Sequence, residues 1–260
     1  MNEIKIIDFK RYSSIKIGPQ KEVLVINEIG DYKDYQIIGR ANNLLISPNC
    51  EKKFAILGDE FDYIRKEGSL LYVGCATTSG KLLTYTRKND IKNLEFLAKL
   101  PGNLGGLVKM NAGLKSWEVF NYIHSIKTKD GYIKKENIDF SYRETKIDTI
   151  IYEVVFNLEY GFSNEMLKEF TRMRDNQPHI ASAGSCFKNP KGDFAGRLIE
   201  AVGLKGIKKG DMSFSEQHAN FLVNYGTGSF EDALYLIELA KEKIKEKFNI
   251  DIKEEIIIYK

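Results

Sequence analysis

The 260-residue chain carries 39 Lys and Arg against 36 Asp and Glu, so its net charge is only +3, and the two signs are interspersed along it. That balance argues against a basic field for nucleic acid or membrane surfaces and leaves room for an anionic small substrate. Three widely spaced cysteines, Cys50, Cys75 and Cys186, form no C-x-x-C pair, which sets aside a zinc site or dithiol exchange and points to a reducing, cytoplasmic setting.

Taken in chain order, Met1-Asn-Glu-Ile-Lys lacks the basic, apolar and small-residue order of a signal peptide, and no later apolar run is long enough to span a bilayer. Short β-branched runs at 22–29, 35–38, 54–57 and 70–73, separated by Gly, Asp, Asn and Pro, predict closely spaced strands. A helix is expected over 80–88. The stretch 101–113 reads as a glycine-rich loop, the Asp130-Gly131 step marks a hairpin, and 149–158 predicts a strand. Helices follow at 164–174 and after Asp193, the expected cap, with Ala195, Leu198, Ile199 and Val202 on one face and Gly203 closing it. Ser229 with Asp232 resembles a capping box before a third helix reaching Phe248, and 251–259 returns as a strand. Turn-rich strands followed by an α/β segment predict an α+β protein with a separate carboxy-terminal lobe.

Three segments could carry chemistry. In Ala181-Ser-Ala-Gly-Ser-Cys-Phe-Lys-Asn-Pro190 the Ser185 hydroxyl lies between glycine and cysteine, but Phe187 stands where a hydrolase nucleophile elbow needs glycine. The alternative is a strand entering a turn at Asn189-Pro190. Pro101-Gly-Asn-Leu-Gly-Gly-Leu-Val-Lys-Met-Asn-Ala-Gly113 could form a nest of backbone N–H groups for an anion or a tight multi-turn crossing between domains. It matches neither a P-loop nor a Rossmann fingerprint. Gly39-Arg-Ala-Asn-Asn43, after a strand, also suits phosphate. A Ser–His hydrolase built on His218 would leave both glycine-bearing segments unexplained.

These segments, with Leu94-Glu-Phe-Leu-Ala98, Tyr142-Arg143 and Ser215-Glu-Gln-His-Ala-Asn-Phe-Leu-Val-Asn224, occur in an order that resembles the UDP-N-acetylenolpyruvoylglucosamine reductase (MurB) family, in its compact form. The resemblance implies an FAD-binding fold of the vanillyl-alcohol-oxidase (PCMH) type, with subdomains at 1–55 and 56–160 and a substrate lobe at 161–260. It implies an NADPH-consuming flavoprotein of peptidoglycan precursor synthesis, a monomer without metal, that reduces UDP-N-acetylglucosamine enolpyruvate to UDP-N-acetylmuramate. The residues matched to FAD are Gly39, Arg40, Ala41, Asn42, Asn43, Gly74, Pro101, Gly102, Asn103, Gly105, Gly106, Asn111 and Ala112. Those matched to substrate are Tyr142, Lys188, Asn189 and His218.

By the same resemblance Ser185 donates a proton to carbon, Arg143 grips the substrate carboxylate and Glu255 faces the intermediate. A hydroxyl is a poor acid in water, so such a site must stabilise both the enolate and the alkoxide with placed donors and charge. Arg143 beside Glu144 could instead be a surface ion pair, and Glu255 could face solvent. Two departures stand out: Arg40-Ala-Asn42 replaces a glycine-rich run, and Lys253-Glu-Glu-Ile-Ile257 lacks the family's proline and arginine. Rival readings are another flavin oxidoreductase of the same fold and a degenerate nucleotide-sugar-binding protein without catalysis.

Overall fold

The computed structural model describes residues 1–260. The chain forms two compact units and crosses repeatedly from one to the other. One comprises Met1–Lys5, Glu22–Arg40 and Lys53–Arg174; the other comprises Ile6–Lys21, Ala41–Lys52 and Asp175–Lys260.

The first unit is organised by an antiparallel sheet in the spatial order Gly131–Lys134, Ile123–Thr128, Glu153–Asn157, Leu70–Gly74, Ile64–Glu67. Gly131, at φ +109°, opens the second arm of the expected hairpin. The long predicted strand is ordered as ladder only over Glu153–Asn157. Its residue Glu153 is a buried carboxylate and is not left unpaired: the hydroxyls of Tyr132 and Tyr63 donate to it at 2.6 and 2.7 Å, and Arg65 at 3.3 Å. Leu71, Val73, Ile126, Val154 and Phe156 pack with Leu82 of the helix Ser79–Lys88 and with Leu104, Leu107 and Val108. Burying each such side chain contributes about 1.5–3 kcal/mol. A second, parallel arrangement pairs Lys53–Leu57 with Val23 to Ile26 on one side and Tyr35–Ile37 on the other.

The second unit carries an antiparallel sheet in the order Ala181–Ser185, Phe221–Asn224, Met212–Phe214, Lys208–Lys209. The helix Phe230–Phe248 covers it with Ala233, Leu236, Ile237, Ala240 and Ile244 buried. The expected cap holds, since Ser229 Oγ accepts from the Asp232 N–H at 3.0 Å, and the helix ends at Asn249 in the left-handed region. Within 251–259 only Ile257–Tyr259 joins a ladder, parallel to Leu44–Ile46, because 253–256 turns its backbone to a different partner, 186–188. All three cysteines are buried free thiols, and no helix is long and apolar enough to cross a membrane.

Candidate active site

In the second unit the site is built around Cys186. The Glu255 N–H donates to the Cys186 carbonyl at 2.8 Å and the Ile256 N–H at 3.3 Å, while the Lys188 N–H donates to the Lys253 carbonyl at 2.9 Å. Ser185 and Glu255, remote in sequence, are thereby set side by side in the backbone. Glu254 is committed elsewhere, its carboxylate 2.8 Å from Lys241 Nζ. Asn43 joins the group: its amide donates to the Glu255 carbonyl and its own carbonyl accepts from the Ile257 N–H, both at 2.9 Å.

Two of the residues matched to substrate have structural partners as well. Asn189 Oδ1 accepts from the Ala195 N–H at 2.9 Å and so caps the helix Ala195–Ala201. Asp193, the expected cap, instead accepts from Phe194 N–H and pairs with Arg197; a carboxylate one residue before the cap position cannot reach the first free amides as well as Asn189 does from the preceding turn. His218 Nδ1 accepts from the Asn220 N–H at 3.3 Å, leaving the ring hydrogen on Nε2, and burial pushes its pKa below 6.5. An Nδ1 already engaged as an acceptor gives no base on that nitrogen for a Ser–His hydrolase.

Ala41 adopts φ +49° and is buried, so the departure from glycine forces an alanine into the left-handed region. Ser14 supports it, donating from its N–H to the Ala41 carbonyl at 3.3 Å and from its hydroxyl to the Asn42 carbonyl at 3.2 Å. The Asn42 side-chain oxygen is buried without a hydrogen-bond partner.

The site residues of the first unit lie along 101–113 and the hairpin tip at Tyr142-Arg143. The glycine-rich stretch is not an open loop: Leu104–Lys109 is a short helix. Leu104, Leu107 and Val108 fall on its core face, and their burial outweighs the poor helix propensity of Gly105-Gly106. Two of its amides are already engaged, since the Leu104 N–H donates to the Thr77 carbonyl at 2.9 Å and the Gly105 N–H to the Cys75 carbonyl at 3.1 Å. A Cβ on Gly105 would sit 3.1 Å from Cys75 Cβ, whereas one on Gly106 would meet nothing within 4 Å. The two glycines thus serve different ends, close packing and an open face. Gly74 belongs with the first kind, since a Cβ there would fall 2.1 Å from the Phe61 carbonyl oxygen. Asn103 precedes the helix with its side-chain oxygen buried and unpartnered, near Gly39, whose added Cβ would lie 3.9 Å from Asn103 Cβ. Pro101 and Arg40 are exposed, and Gly102 turns the chain at φ +121°.

Arg143 occupies the tip of the hairpin between Phe140–Ser141 and Glu144–Thr145, in the left-handed region at φ +57°. For a non-glycine residue that conformation costs about 1–2 kcal/mol, the kind of local strain found where a side chain must be aimed. Its guanidinium donates to the Gly113 carbonyl at 3.0 Å, the Asn111 carbonyl at 3.3 Å and Glu118 Oε1 at 3.2 Å, and it lies 4.8 Å from the Tyr142 ring centroid. The Arg143–Glu118 pair is largely buried, with the two side chains 13% and 18% exposed, so Arg143 is more than a surface residue; Glu144 also meets Lys146. Asn111, fully buried at φ +42°, ties the group together by donating to Glu118 Oε2 at 2.9 Å and to the Ser141 carbonyl at 3.0 Å. The neighbouring Ala112 closes the turn, its N–H on the Leu107 carbonyl at 2.8 Å. Burial raises the Glu118 pKa and Arg143 opposes that rise.

Three residues of these clusters escape reading from sequence: Glu118, Asn220 and Arg174. Arg174 is 6% exposed, and its Nε and Nη2 atoms are buried with no acceptor. Burial first, and the positive charge of Arg143 second, push its pKa down to about 10, so it stays charged at neutral pH. A buried, uncompensated guanidinium is expensive and calls for an anion.

The family described as UDP-N-acetylenolpyruvoylglucosamine reductase, C-terminal domain, matches residues 176–259. The chain is 49% identical to the UDP-N-acetylenolpyruvoylglucosamine reductase of Campylobacter jejuni strain RM1221, over 97% of this chain and 99% of that one. It is 45% identical to the enzyme of the same name from Helicobacter hepaticus, over 97% and 98% of the two chains. Among solved structures, the crystal structure of UDP-N-acetylenolpyruvylglucosamine reductase (MurB) from Thermus caldophilus superposes with a TM-score of 0.86 at 27% identity and covers all of both chains. The α+β flavin fold expected from sequence is therefore the fold of this protein, and the chain belongs to the UDP-N-acetylenolpyruvoylglucosamine reductase family.

Proposed function

We propose that this protein is an FAD-dependent, NADPH-consuming reductase that converts UDP-N-acetylglucosamine enolpyruvate to UDP-N-acetylmuramate in cytoplasmic peptidoglycan precursor synthesis, acting as a monomer. On this reading 1–55 and 56–160 form the FAD-binding subdomains and 161–260 the substrate lobe. The observation that supports it is the backbone pairing of Glu255 with Cys186, which brings the chain positions of Glu255 and Ser185 close together.

The residues present fit an FAD. The buried side-chain oxygens of Asn42 and Asn103 lack donors, and a dinucleotide brings sugar hydroxyls and ring N–H groups. Gly106 offers an open face to a flat ligand. Bound there by residues 39–43, 74 and 101–112, FAD would supply hydride chemistry.

The remaining work falls to the chain. Arg174, whose buried Nε and Nη2 atoms lack acceptors, lies close enough to Arg143 to feel its charge, and the two guanidinium groups suit a substrate carboxylate. Two guanidinium groups hold and polarise that carboxylate, drawing negative charge from the carbon skeleton as the double bond is reduced. Ser185 delivers its proton to carbon, and Glu255 faces the carboxylate of the intermediate. Tyr142, Lys188, Asn189 and His218 contact the sugar and diphosphate.

The test is direct. The purified protein, supplied with FAD, should show a flavin absorbance spectrum that NADPH bleaches and the enolpyruvyl nucleotide restores, with UDP-N-acetylmuramate found by mass spectrometry. A colourless protein that still binds UDP-N-acetylglucosamine would favour the non-catalytic reading. Bleached flavin that other acceptors restore and the enolpyruvyl nucleotide does not would favour a different flavin oxidoreductase.

A further inference from the structure

Asn220 is 4% exposed, and the hydrogen bonds of its side chain both go to Phe187. Its Oδ1 accepts from the Phe187 N–H at 3.0 Å and its Nδ2 donates to the Phe187 carbonyl at 2.8 Å. Its own carbonyl accepts from the Cys186 N–H at 2.7 Å, and its N–H rests on His218 Nδ1 at 3.3 Å. A planar amide that both donates to and accepts from one residue imitates a neighbouring strand.

That imitation is needed here. The ladder between Ala181–Ser185 and Phe221–Asn224 shifts register between Ser182 and Ser185, and Gly184 sits at φ +80°. A bulge frees the residues beyond it from ladder geometry. Ser185 lies just past this bulge, and without the Asn220 side chain Phe187 would lose both of these partners, leaving the Asn220 carbonyl on the Cys186 N–H and the segment bearing Glu255 to hold the backbone. With Asn220 in place, Cys186 and Phe187 are gripped from two sides.

We infer that Asn220 is a positioning residue for the proton delivery assigned to Ser185: by locking Cys186 and Phe187 it fixes where the Ser185 hydroxyl points. The inference rests on the reductase reading above. A misplacement of about 1 Å can lower a rate by roughly 10²-fold, so a group that removes one hinge of freedom next to the donor matters out of proportion to its distance from substrate.

Asn220→Asp keeps the acceptor toward the Phe187 N–H and sets a carboxylate oxygen against the Phe187 carbonyl, where a donor was. Protonation of that carboxyl restores the donor. At pH 8 the variant flavin should be bleached by NADPH at the wild-type rate yet be reoxidised by the enolpyruvyl nucleotide about 10–100-fold more slowly, with KM changed by less than about threefold. The deficit relative to wild type should shrink as pH falls toward 5.5. The wild-type profile subtracts titration of the groups around 186–187: His218, Glu254 with its partner Lys241, and Glu255. Amide hydrogen exchange at Phe187 should quicken in the variant, a readout that needs no cofactor. Asn220→Ser, which keeps one hydroxyl partner, should lie between the two and serves if the aspartate variant does not fold. Quickened exchange at Phe187 with wild-type reoxidation at every pH overturns the inference. Equal slowing of bleaching and reoxidation, or a change confined to KM, overturns it too. Wild-type flavin that the enolpyruvyl nucleotide fails to reoxidise overturns the reductase reading first, before any variant is compared.

Discussion

The groups assigned to chemistry in the two units are held by different forces. Around Arg143 the holding is ionic: a buried pair with Glu118, a ring beneath the guanidinium and a second cation, Arg174, whose inner nitrogens have no acceptor. Around Ser185 the backbone itself is held by hydrogen bonds between neutral groups, main-chain amides and the Asn220 amide, through Cys186, Phe187 and Glu255. The difference teaches what each task requires. Binding a carboxylate needs surplus positive charge, which must be left partly uncompensated until the ligand arrives. Delivering a proton to carbon needs placement, which hydrogen bonds between neutral groups supply without adding a competing charge.

The sharpest way to break this contrast is Ser185→Ala. If the neutral lattice exists to aim a proton donor, NADPH should still bleach the variant flavin at a near-normal rate, while reoxidation by the enolpyruvyl nucleotide falls by about 10² to 10⁴. Anaerobic stopped-flow absorbance reads both phases. Reoxidation at the wild-type rate would return Ser185 to a turn-forming role.

Arg174→Met probes the ionic half and should move two quantities in opposite directions. Replacing a buried charge whose Nε and Nη2 atoms lack partners by an apolar chain should make the ligand-free protein more stable, by about 1–3 kcal/mol in a denaturant titration. Loss of a charge-assisted contact should raise KM for the enolpyruvyl nucleotide about 10–100-fold. A variant that loses stability and keeps its KM would show that Arg174 is compensated within the protein, and the charge surplus assigned to substrate would vanish.

The smallest expected effect is at Ala41→Gly. Relief of the left-handed alanine, about 1–2 kcal/mol, is partly offset by the greater freedom of glycine in the unfolded chain. A net gain of about 0.5–1 kcal/mol should appear as a rise in Tm of roughly 2–3 °C. A fall in Tm would mean that the Ala41 methyl, buried in its surroundings, contributes more by packing than its backbone loses.

Much of the architecture is written locally. The helix Phe230–Phe248 announces itself through its Ser229 cap and apolar spacing, and the strand Leu70–Gly74 through its β-branched run. Misreadings fall where a residue's partner is distant. Residues 101–113 look like a loop because two adjacent glycines are poor helix formers, yet Leu104, Leu107 and Val108 are drawn into a core that local propensity does not see. Asp193 looks like the cap, but Asn189 folds back to take that place.

The sequence by itself determined the residue types and their order: Ser185, Arg143, Glu255 and the two glycine-bearing segments that mark the family. Only the tertiary structure decided which carboxylate meets which cation. It pairs Arg143 with the distant Glu118 and Glu254 with Lys241, and it turns the Glu255 amide toward Cys186. It also leaves Arg174 Nε and Nη2 buried without an acceptor and sets Asn220 behind Ser185. The physical reason is that ion pairing and amide bonding depend on distance and dielectric, which are properties of packing, while residue type and local spacing are carried by the chain itself.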